Sequence, residues 1–217
     1  MSSALQLSGL VHRYQRSFVL RGTSLELERG AALALYGANG AGKTTLLKII
    51  ATAMTATRGG GRVLGFDLSE RVELRRRVLI VSHALGLYPE LSGTENLEFA
   101  LKMHLKPVSS VALSDALERV GLRGVTTRVR GYSSGMRKRL ALAKMLLLQP
   151  ELILLDEPFA ALDPAGKDLV EGLIRAEQAR GATLVIASHE PERTRQIVGF
   201  ETTLEDGLLS APRAVGL

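Results

Sequence analysis

The sequence predicts an α/β fold, with a mainly parallel sheet core, an N-terminal antiparallel β portion and an inserted helical lobe. Short apolar runs alternate with helical segments, as in parallel sheets that carry helices on both faces. Residues 4–36 alternate with a period of two, and leucines recur every four residues between about 92 and 149. Because there is no internal repeat or low-complexity linker, we expect residues 1–217 to form one domain, with the helical lobe, about residues 86–150, nested within it.

The N-terminal segments ALQLSGLV and FVLRGTSLELE are predicted to pair as antiparallel strands, because glycines interrupt their alternating pattern. Ala31 to Tyr36 is apolar on both faces, which is typical of a buried central strand. Further strands are predicted at 62–66, 78–82, 152–155 and 183–187.

Helices are predicted after the glycine-rich residues 37–42, from Lys43 to Ala53, and after Pro164. In the lobe, four-residue spacing predicts helices whose apolar positions are Leu97, Leu101, Leu105, Leu113, Leu117, Met136, Leu140 and Leu148.

Composition narrows the function classes. A 4% aromatic content without Trp argues against binding single strands by base stacking, so no nucleic-acid partner is expected. The absence of Cys excludes disulfides and thiolate metal sites and fits a reducing compartment. The net charge is +6, and its densest stretch, Arg71 with Arg75 to Arg77, is either a solvated helix face or a surface for acidic lipid or protein.

Neither a signal peptide nor a membrane span is expected. The N-terminus has no basic region followed by an apolar run, and the longest apolar stretches are too short for a hydrocarbon layer of about 30 Å. We therefore expect a soluble chain, most simply a cytoplasmic one.

Residues 37–44, GANGAGKT, fit the phosphate-loop pattern G-x-x-x-x-G-K-[ST] between an apolar strand and a helix. Backbone N–H groups from Asn39 to Thr44 would form an anion nest at the positive end of the helix. Lys43 would reach the β- and γ-phosphates, and Thr44 would hold Mg²⁺. The nucleotide-binding residues expected here are Gly37, Ala38, Asn39, Gly40, Ala41, Gly42, Lys43, Thr44 and Thr45.

The run LILLDEP, residues 152–158, delivers Asp156 and Glu157 to the end of a buried strand, where α/β sheets bind ligands. Asp156 is predicted to hold Mg²⁺ and Glu157 to polarise the attacking water. His189 follows the next strand and is placed to contact the γ-phosphate, although a lone His is often only structural. Ser133, Ser134 and Gly135 form either a second anion site or a simple helix cap.

The motifs GANGAGKT, YSSGM, LILLDEP, ALD (Ala161 to Asp163) and SH (Ser188 and His189), in this order, resemble an ABC ATPase subunit over essentially the whole chain. The resemblance implies a P-loop NTPase of ABC type that binds ATP and Mg²⁺ and closes as a homodimer. Ser133 and Gly135 would then complete the site of the opposite chain, Asp163 would lie across the dimer seam, and Tyr14 would stack on adenine. It also implies integral membrane partner subunits and a peripheral position at the cytoplasmic face of the membrane.

Departures from the family pattern refine this resemblance. In the signature, usually LSGGQ, Tyr132 replaces Leu, Ser134 the first Gly and Met136 the Gln. His83 stands where the family usually has a Gln that contacts Mg²⁺ and water, so we expect His83 at the nucleotide. With YSSGMRKRLALAKMLL and SHEPER, the chain resembles the ATP-binding subunit of the haem exporter of cytochrome c maturation.

Other functions stay open. The ATPase subunit of a drug, lipid or polysaccharide exporter would share these motifs. A soluble ABC ATPase acting on DNA or the ribosome is compatible with the positive charge, but the chain lacks a long coiled-coil insertion and a second such domain. A nucleotide-binding regulator without motor activity would not need Glu157 and His189.

Overall fold

The computed structural model describes residues 3–15, 17–82 and 86–216. They form two compact units, one of Met1–Ser82, Pro150–Pro158 and Gln178–Leu217, and a second of His83–Gln149 and Phe159–Glu177. In chain order the elements begin with β1 (Ser3–Tyr14), β2 (Ser17–Glu28), β3 (Ala32–Tyr36), α1 (Lys43–Ile50), β4 (Arg58–Val63), β5 (Phe66–Asp67), α2 (Arg71–Arg77) and β6 (Val78–Val81).

 In the second unit and the rest of the first, the chain continues with α3 (Gly93–Met103), α4 (Ser110–Arg119), a short 3₁₀ helix (Val129–Gly131), α5 (Ser134–Leu148), β7 (Leu152–Asp156), α6 (Pro164–Ala179), β8 (Thr183–Ala187), α7 (Pro191–Arg195), β9 (Phe200–Glu205), β10 (Leu208–Leu209) and β11 (Arg213–Ala214).

The first unit contains two sheets. One is antiparallel, with strand order β2-β1-β4-β5. In the other, β9, β3, β8, β7 and β6 run parallel, while β10 and β11 pair antiparallel with β9. The predicted parallel core and N-terminal antiparallel portion are both present.

Apolar side chains from both sheets and α1 form one core. Leu5, Leu20, Leu33 and Leu154 are all fully buried members of this cluster. The alternation of β1 and β2 directs their leucines to the core, whereas β3, β7 and β8 are buried on both faces. The carboxyl ends of β3, β7 and β8 consequently lie side by side, because these strands are parallel neighbours.

The second unit contains α3, α4, α5, the short 3₁₀ helix and most of α6. α3, α4 and α5 pack against one another and bury Leu97, Leu101, Leu113, Leu117 and Leu140. Ser92 and Glu95 form a capping box at the start of α3, with each side chain accepting a backbone N–H of the other residue. The prediction of one domain over residues 1–217, with the lobe at about 86–150, stays a prediction.

Three local predictions were wrong, each for a backbone reason. α1 ends at Ile50 rather than Ala53, because Thr52 takes a left-handed conformation with φ 54°. Residues 62–66 are not one strand, since Leu64 (φ 54°) and Gly65 (φ 90°) form a tight turn between β4 and β5. Leu105 lies beyond the end of α3 and is 79% exposed.

The basic stretch in α2 is engaged by neighbouring groups of the first unit. Arg77 forms ion pairs with Glu73 at 2.7 Å and Glu151 at 3.4 Å. Arg75 donates to the carbonyl oxygen of Thr52 at 3.3 Å. These contacts favour the solvated helix face over the surface for acidic lipid or protein.

Candidate nucleotide-binding site

The loop between β3 and α1 has the geometry of an anion cradle. Gly42 precedes α1 in a left-handed conformation (φ 110°) and offers no side-chain cap, and the first turn of α1 carries no acidic residue. The free N–H groups of this helix end are therefore available to an anion.

Two glycines of the loop are required by close packing as well as by backbone angle. A Cβ on Gly37 (φ 145°) would lie 2.4 Å from the carbonyl oxygen of Leu204, and a Cβ on Gly42 would lie 2.7 Å from the Val19 side chain. Any other residue at either position would force the loop away from the neighbouring strands. The glycine spacing of the motif thus fixes the path of the cradle.

Lys43 lies at the first position of α1 and is buried. Its Nζ donates to the carbonyl oxygens of Gly37 at 2.6 Å and Ala38 at 3.1 Å. Burial lowers the pKa of Lys43 from its ordinary value, and this effect is opposed by the charges of Glu157 and Asp156. The site therefore holds a buried cation whose charge interacts with two carboxylates.

Thr44 and Asp156 are in direct contact. The Thr44 hydroxyl donates to Asp156 Oδ2 at 2.7 Å, and Asp156, the last residue of β7, is 4% exposed. A hydroxyl oxygen next to a carboxylate is the hard-oxygen ligand chemistry that Mg²⁺ prefers. Among the described residues there is no cluster of three or more His, Cys, Asp or Glu side chains for a metal ion held by protein ligands alone.

Glu157 follows β7 in a left-handed conformation, with φ 54°. Its backbone N–H bonds to the carbonyl oxygen of Ala187 at 2.9 Å, which extends the pairing of β7 with β8 by one residue. A non-glycine residue at positive φ costs free energy that the surrounding structure must offset, and such positions concentrate at functional sites. The turn brings Glu157 into contact with His189, two residues after the end of β8.

His189 meets both Lys43 and Glu157. Its Nε2 lies 3.3 Å from Lys43 Nζ and 3.4 Å from Glu157 Oε1, and its backbone N–H donates to Glu157 Oε2 at 3.3 Å. Nε2 can accept from Lys43 when the ring proton is on Nδ1, and Glu157 Oε1 lies within ion-pair distance of the ring. The expectation that His189 joins the strand-end residues in space therefore agrees with the structure.

Tyr14, at the end of β1, lies beside the residues that follow the cradle. Its hydroxyl is 3.3 Å from Thr45 Oγ1 and 3.3 Å from Met54 Sδ, and its ring packs edge-on against His12. The side chain is not a core residue, since Tyr14 is 45% exposed. An exposed aromatic face next to α1 suits the stacking of a nucleotide base.

Ser133 and Gly135 belong to the second unit, at the start of α5. Ser133 is the N-cap, and its Oγ accepts the N–H of Met136 at 3.1 Å. The simple cap is therefore present, and the first turn of α5 contains no acidic residue that would repel an anion. A Cβ on Gly135 would lie 3.4 Å from Leu162 Cδ2, which places the helix start beside the segment that precedes Asp163.

Asp163 caps the following helix. Its Oδ1 accepts the N–H of Gly166 at 3.1 Å, and a Cβ on Gly166 would lie 2.6 Å from that oxygen. Asp163 thus has a structural role at the start of α6 in addition to any contact with a partner. His83, expected at the nucleotide, lies outside the described residues.

Sequence reasoning missed several contacts of this site. The hydrogen bonds from Lys43 to the carbonyl oxygens of Gly37 and Ala38 could not be predicted from residue types, because every residue has a backbone carbonyl group. The positive φ of Glu157 is likewise invisible in the sequence. The capping role of Asp163 could have been found, because Asp followed by Pro at the first helical position is a helix-start signal.

A phosphate loop between a buried strand and a helix, with a carboxylate at the end of the neighbouring strand, defines a nucleoside triphosphate-binding protein. Residues 20–160 match the ABC transporter family, and the chain belongs to that family. It is an ATP-binding subunit of an ABC transporter and an ATPase.

Two relatives illustrate the similarity. The chain is 39% identical to the cytochrome c biogenesis ATP-binding export protein of Methylococcus capsulatus over 77% of this chain and 82% of that protein. It is 34% identical to a daunorubicin resistance ATP-binding protein of Streptomyces coeruleorubidus over 96% of this chain and 67% of that protein.

Solved structures confirm the predicted fold class. A dimeric ATP-binding cassette in a post-hydrolysis state, bound to ADP and Pi, superposes with a TM-score of 0.89 at 22% identity and covers 98% of this chain and 99% of that one. An ATP-binding subunit of an ABC transporter superposes with a TM-score of 0.87 at 27% identity and covers 98% of this chain and 90% of that one.

Proposed function

We propose that this chain is the homodimeric, ATP-hydrolysing motor of a membrane exporter, and that the exporter serves haem export in cytochrome c maturation. One observation carries the motor assignment. The side chains that converge at the anion cradle come from the start of α1, the end of β7 and the turns after β7 and β8: Lys43, Thr44, Asp156, Glu157 and His189.

The phosphates of ATP are held by the backbone N–H groups of the cradle and by Lys43. In the present structure Lys43 donates to carbonyl oxygens, which are weaker partners than phosphate oxygens, because a hydrogen bond between two charged groups is the stronger one. Binding of ATP therefore replaces neutral acceptors by charged ones. Tyr14 takes the base, and the remaining loop residues surround the phosphates.

Thr44 and Asp156 would hold Mg²⁺, since their oxygens already lie 2.7 Å apart at the cradle. The ion would neutralise charge on the β- and γ-phosphates. In the present structure Asp156 accepts the Thr44 hydroxyl, so the two oxygens are adjacent at the cradle.

Glu157 is the general base in this proposal. Its side chain is 17% exposed, and it is fixed by the backbone N–H and the ring of His189. A carboxylate held in this way can accept a proton from the attacking water, while His189 contacts the γ-phosphate. Lys43, between these two side chains and the cradle, stabilises the charge that develops during the reaction.

Dimer formation is supported by the second unit. Ser133 and Gly135 present N–H groups and a hydroxyl at a helix start without acidic neighbours, and the similar cassette of known structure is a dimer bound to ADP and Pi. In the proposed dimer these two residues complete the phosphate site of the opposite chain, and Asp163 lies at the seam.

A membrane partner is supported by exposed apolar side chains of the second unit. Tyr88 and Phe99 pack edge-on at 4.7 Å, and both are more than a third exposed, as are Met103 and Leu105. Large exposed apolar groups of this kind mark interaction surfaces. No helix of the described residues is long and apolar enough to cross a membrane. The position that we propose, beside the membrane partner, is peripheral at the cytoplasmic face.

The haem-export assignment is supported by the 39% identity to a cytochrome c biogenesis export protein. A second candidate is the motor of a drug exporter, which is supported by the longer match to a daunorubicin resistance protein. The two candidates share the same ATPase chemistry and differ in the membrane partner.

Purification of partners separates these candidates. A tagged Glu157→Gln variant is isolated from gently solubilised membranes with ATP and Mg²⁺, and Lys43→Ala serves as the control that does not trap nucleotide. Retention of cytochrome c maturation membrane proteins by Glu157→Gln alone supports haem export. Retention of an unrelated permease would contradict haem export and support an exporter of another cargo. Retention of ribosomal proteins or nucleic acid without a membrane partner would contradict the exporter proposal.

A further inference from the structure

The antiparallel sheet of the first unit carries a cavity of about 610 Å³ that none of the nucleotide-site residues lines. Six residues of β1, β2 and the start of β4 form its walls: Val11, Arg13, Phe18, Arg21, Thr57 and Arg58. Three of the six are arginines and none is acidic. We refer to it as the arginine cavity.

Strand register places the arginines on one face of the sheet. Val11 of β1 is paired with Arg21 of β2 and with Arg58 of β4, so the two arginines flank it. Arg13 lies two residues after Val11 on β1 and shares its face, because side chains alternate along a strand. The cluster is thus built by three adjacent strands rather than by a flexible loop.

The other face of β1 belongs to the core and to the nucleotide site. Leu10 is fully buried, His12 bonds to the carbonyl oxygen of Thr55, and Tyr14 contacts Thr45. Because side chains alternate along β1, Val11 and Arg13 lie on the opposite face of the sheet from Leu10, His12 and Tyr14. Phe18 and Arg21 also line a second cavity of about 500 Å³ that includes Gly37 to Ala41, so the arginine cavity adjoins the phosphate loop.

The cavity itself is lined by no acidic side chain, whereas Glu205 and Asp206 line the neighbouring cavity that shares Phe18 and Arg21. Within residues 3–15, 17–82 and 86–216, the guanidinium groups of Arg13, Arg21 and Arg58 have neither an ion pair nor a hydrogen bond. By contrast, Arg123 and Arg128 are paired with Glu118 and Glu90. Cations that line one cavity repel one another, so an anion bound among them would relieve an unfavourable interaction.

We propose that the arginine cavity binds a phosphate-bearing ligand with an apolar or planar part. Guanidinium groups match phosphate oxygens with paired hydrogen bonds. The ring of Phe18, 49% exposed, supplies a surface for the apolar part. Such a phosphate belongs either to a soluble polyphosphate compound or to a phospholipid headgroup.

The test uses the full chain with its phosphate loop filled by a non-hydrolysable ATP analogue and Mg²⁺, so that added phosphate reports on the arginine cavity. Inorganic tripolyphosphate is titrated by calorimetry, and flotation with phosphatidylcholine vesicles is measured with and without phosphatidylglycerol. Arg21→Gln/Arg58→Gln is compared with Arg123→Gln/Arg128→Gln, which removes the same charge elsewhere. Thermal unfolding of both variants verifies that they are folded.

Saturable binding of tripolyphosphate that Arg21→Gln/Arg58→Gln weakens about tenfold or more, while the control variant retains it, supports a soluble ligand. Vesicle binding that requires phosphatidylglycerol and is lost only in Arg21→Gln/Arg58→Gln supports a lipid headgroup. Absence of both kinds of binding, or equal loss in the two variants, overturns the proposal.

Discussion

Lys43 Nζ lies 3.3 Å from His189 Nε2, although 146 residues separate them in the chain. The contact joins the start of α1 to the end of β8, because β3 and β8 are parallel neighbours. Together with the bonds to Gly37 and Ala38, it gives the ammonium group uncharged partners that a phosphate can replace.

Replacement of Lys43 by Ala is expected to weaken ATP binding by about tenfold to a hundredfold, since a hydrogen bond with a charged group contributes about 1.5–3 kcal/mol. Calorimetric titration with ATP and Mg²⁺ measures the affinity. Lys48→Ala, in the last turn of the same helix, is the control. Unchanged affinity in Lys43→Ala would remove Lys43 from the phosphate site.

Two substitutions of Ser133 distinguish its role as a helix cap from its proposed contact with the opposite chain. Ser133→Ala removes the bond to the Met136 N–H, so the free energy of unfolding should fall by about 1 kcal/mol. Ser133→Asn keeps a good cap but changes the group offered to phosphate. We expect Ser133→Asn to retain stability in chemical denaturation and to lose ATP turnover. Normal ATP turnover by Ser133→Asn would show that Ser133 acts only as a helix cap.

Glu201 of β9 is a buried carboxylate held by Arg195 and Arg213, each with Nε at 2.8 Å. The hydrogen bond from Arg195 is the main reason that its pKa lies below the ordinary value of 4.5. Its folded-state pKa is below its unfolded value, so the stabilisation is present at neutral pH and is lost as the pH falls through the folded-state value.

Glu201→Gln is therefore expected to lower the free energy of unfolding by about 1–3 kcal/mol at pH 7. The difference from the unmodified chain should shrink below pH 4.5. Urea unfolding at several pH values measures both effects, and the exposed Glu205→Gln on the same strand is the control. A difference that is constant with pH would show that the charge of Glu201 is not the cause.

Lys144 of α5 gives the opposite pH dependence. Burial lowers the pKa of Lys144 from 10.5 to about 8, and its Nζ donates to the carbonyl oxygen of Gly86. In the same unit, burial and then the charges of Lys106 and Lys144 lower the pKa of His104. The unfolded chain binds more protons between about pH 8 and 10.5, so stability rises with pH in this range.

Relative to Lys144→Met, the unmodified chain should gain up to about 3 kcal/mol in the free energy of unfolding across that range, because its pKa falls from 10.5 to about 8. Lys102→Met, at an exposed position of α3, should show no such gain. Equal pH profiles for the unmodified chain and Lys144→Met would contradict the assignment of the effect to Lys144.

Local patterns were sufficient for much of the fold. β8 was predicted with its observed bounds, and β3 and β7 to within one residue, because buried parallel strands are short apolar runs bounded by polar or glycine residues. The turn at Leu64 and Gly65 was missed, because a leucine at positive φ has no sequence signal.

The part of the site that depends on a local motif could also be predicted from the sequence. The phosphate loop is local in sequence, so Lys43 and Thr44 could be placed from the motif alone. The contacts of Lys43 with His189 and of Thr44 with Asp156 depend on strand order, which residue spacing does not specify. The register that gathers Arg21 and Arg58 beside Val11 is also a property of the folded sheet.

The most direct test of the central proposal is ATP turnover by Glu157→Gln, measured beside ATP affinity and beside Glu192→Gln as a control carboxylate in α7. If Glu157 is the base, turnover should fall by about a hundredfold or more, the typical contribution of general-base catalysis, while ATP binding is retained. Turnover near that of the unmodified chain would contradict the assignment of Glu157 as the base.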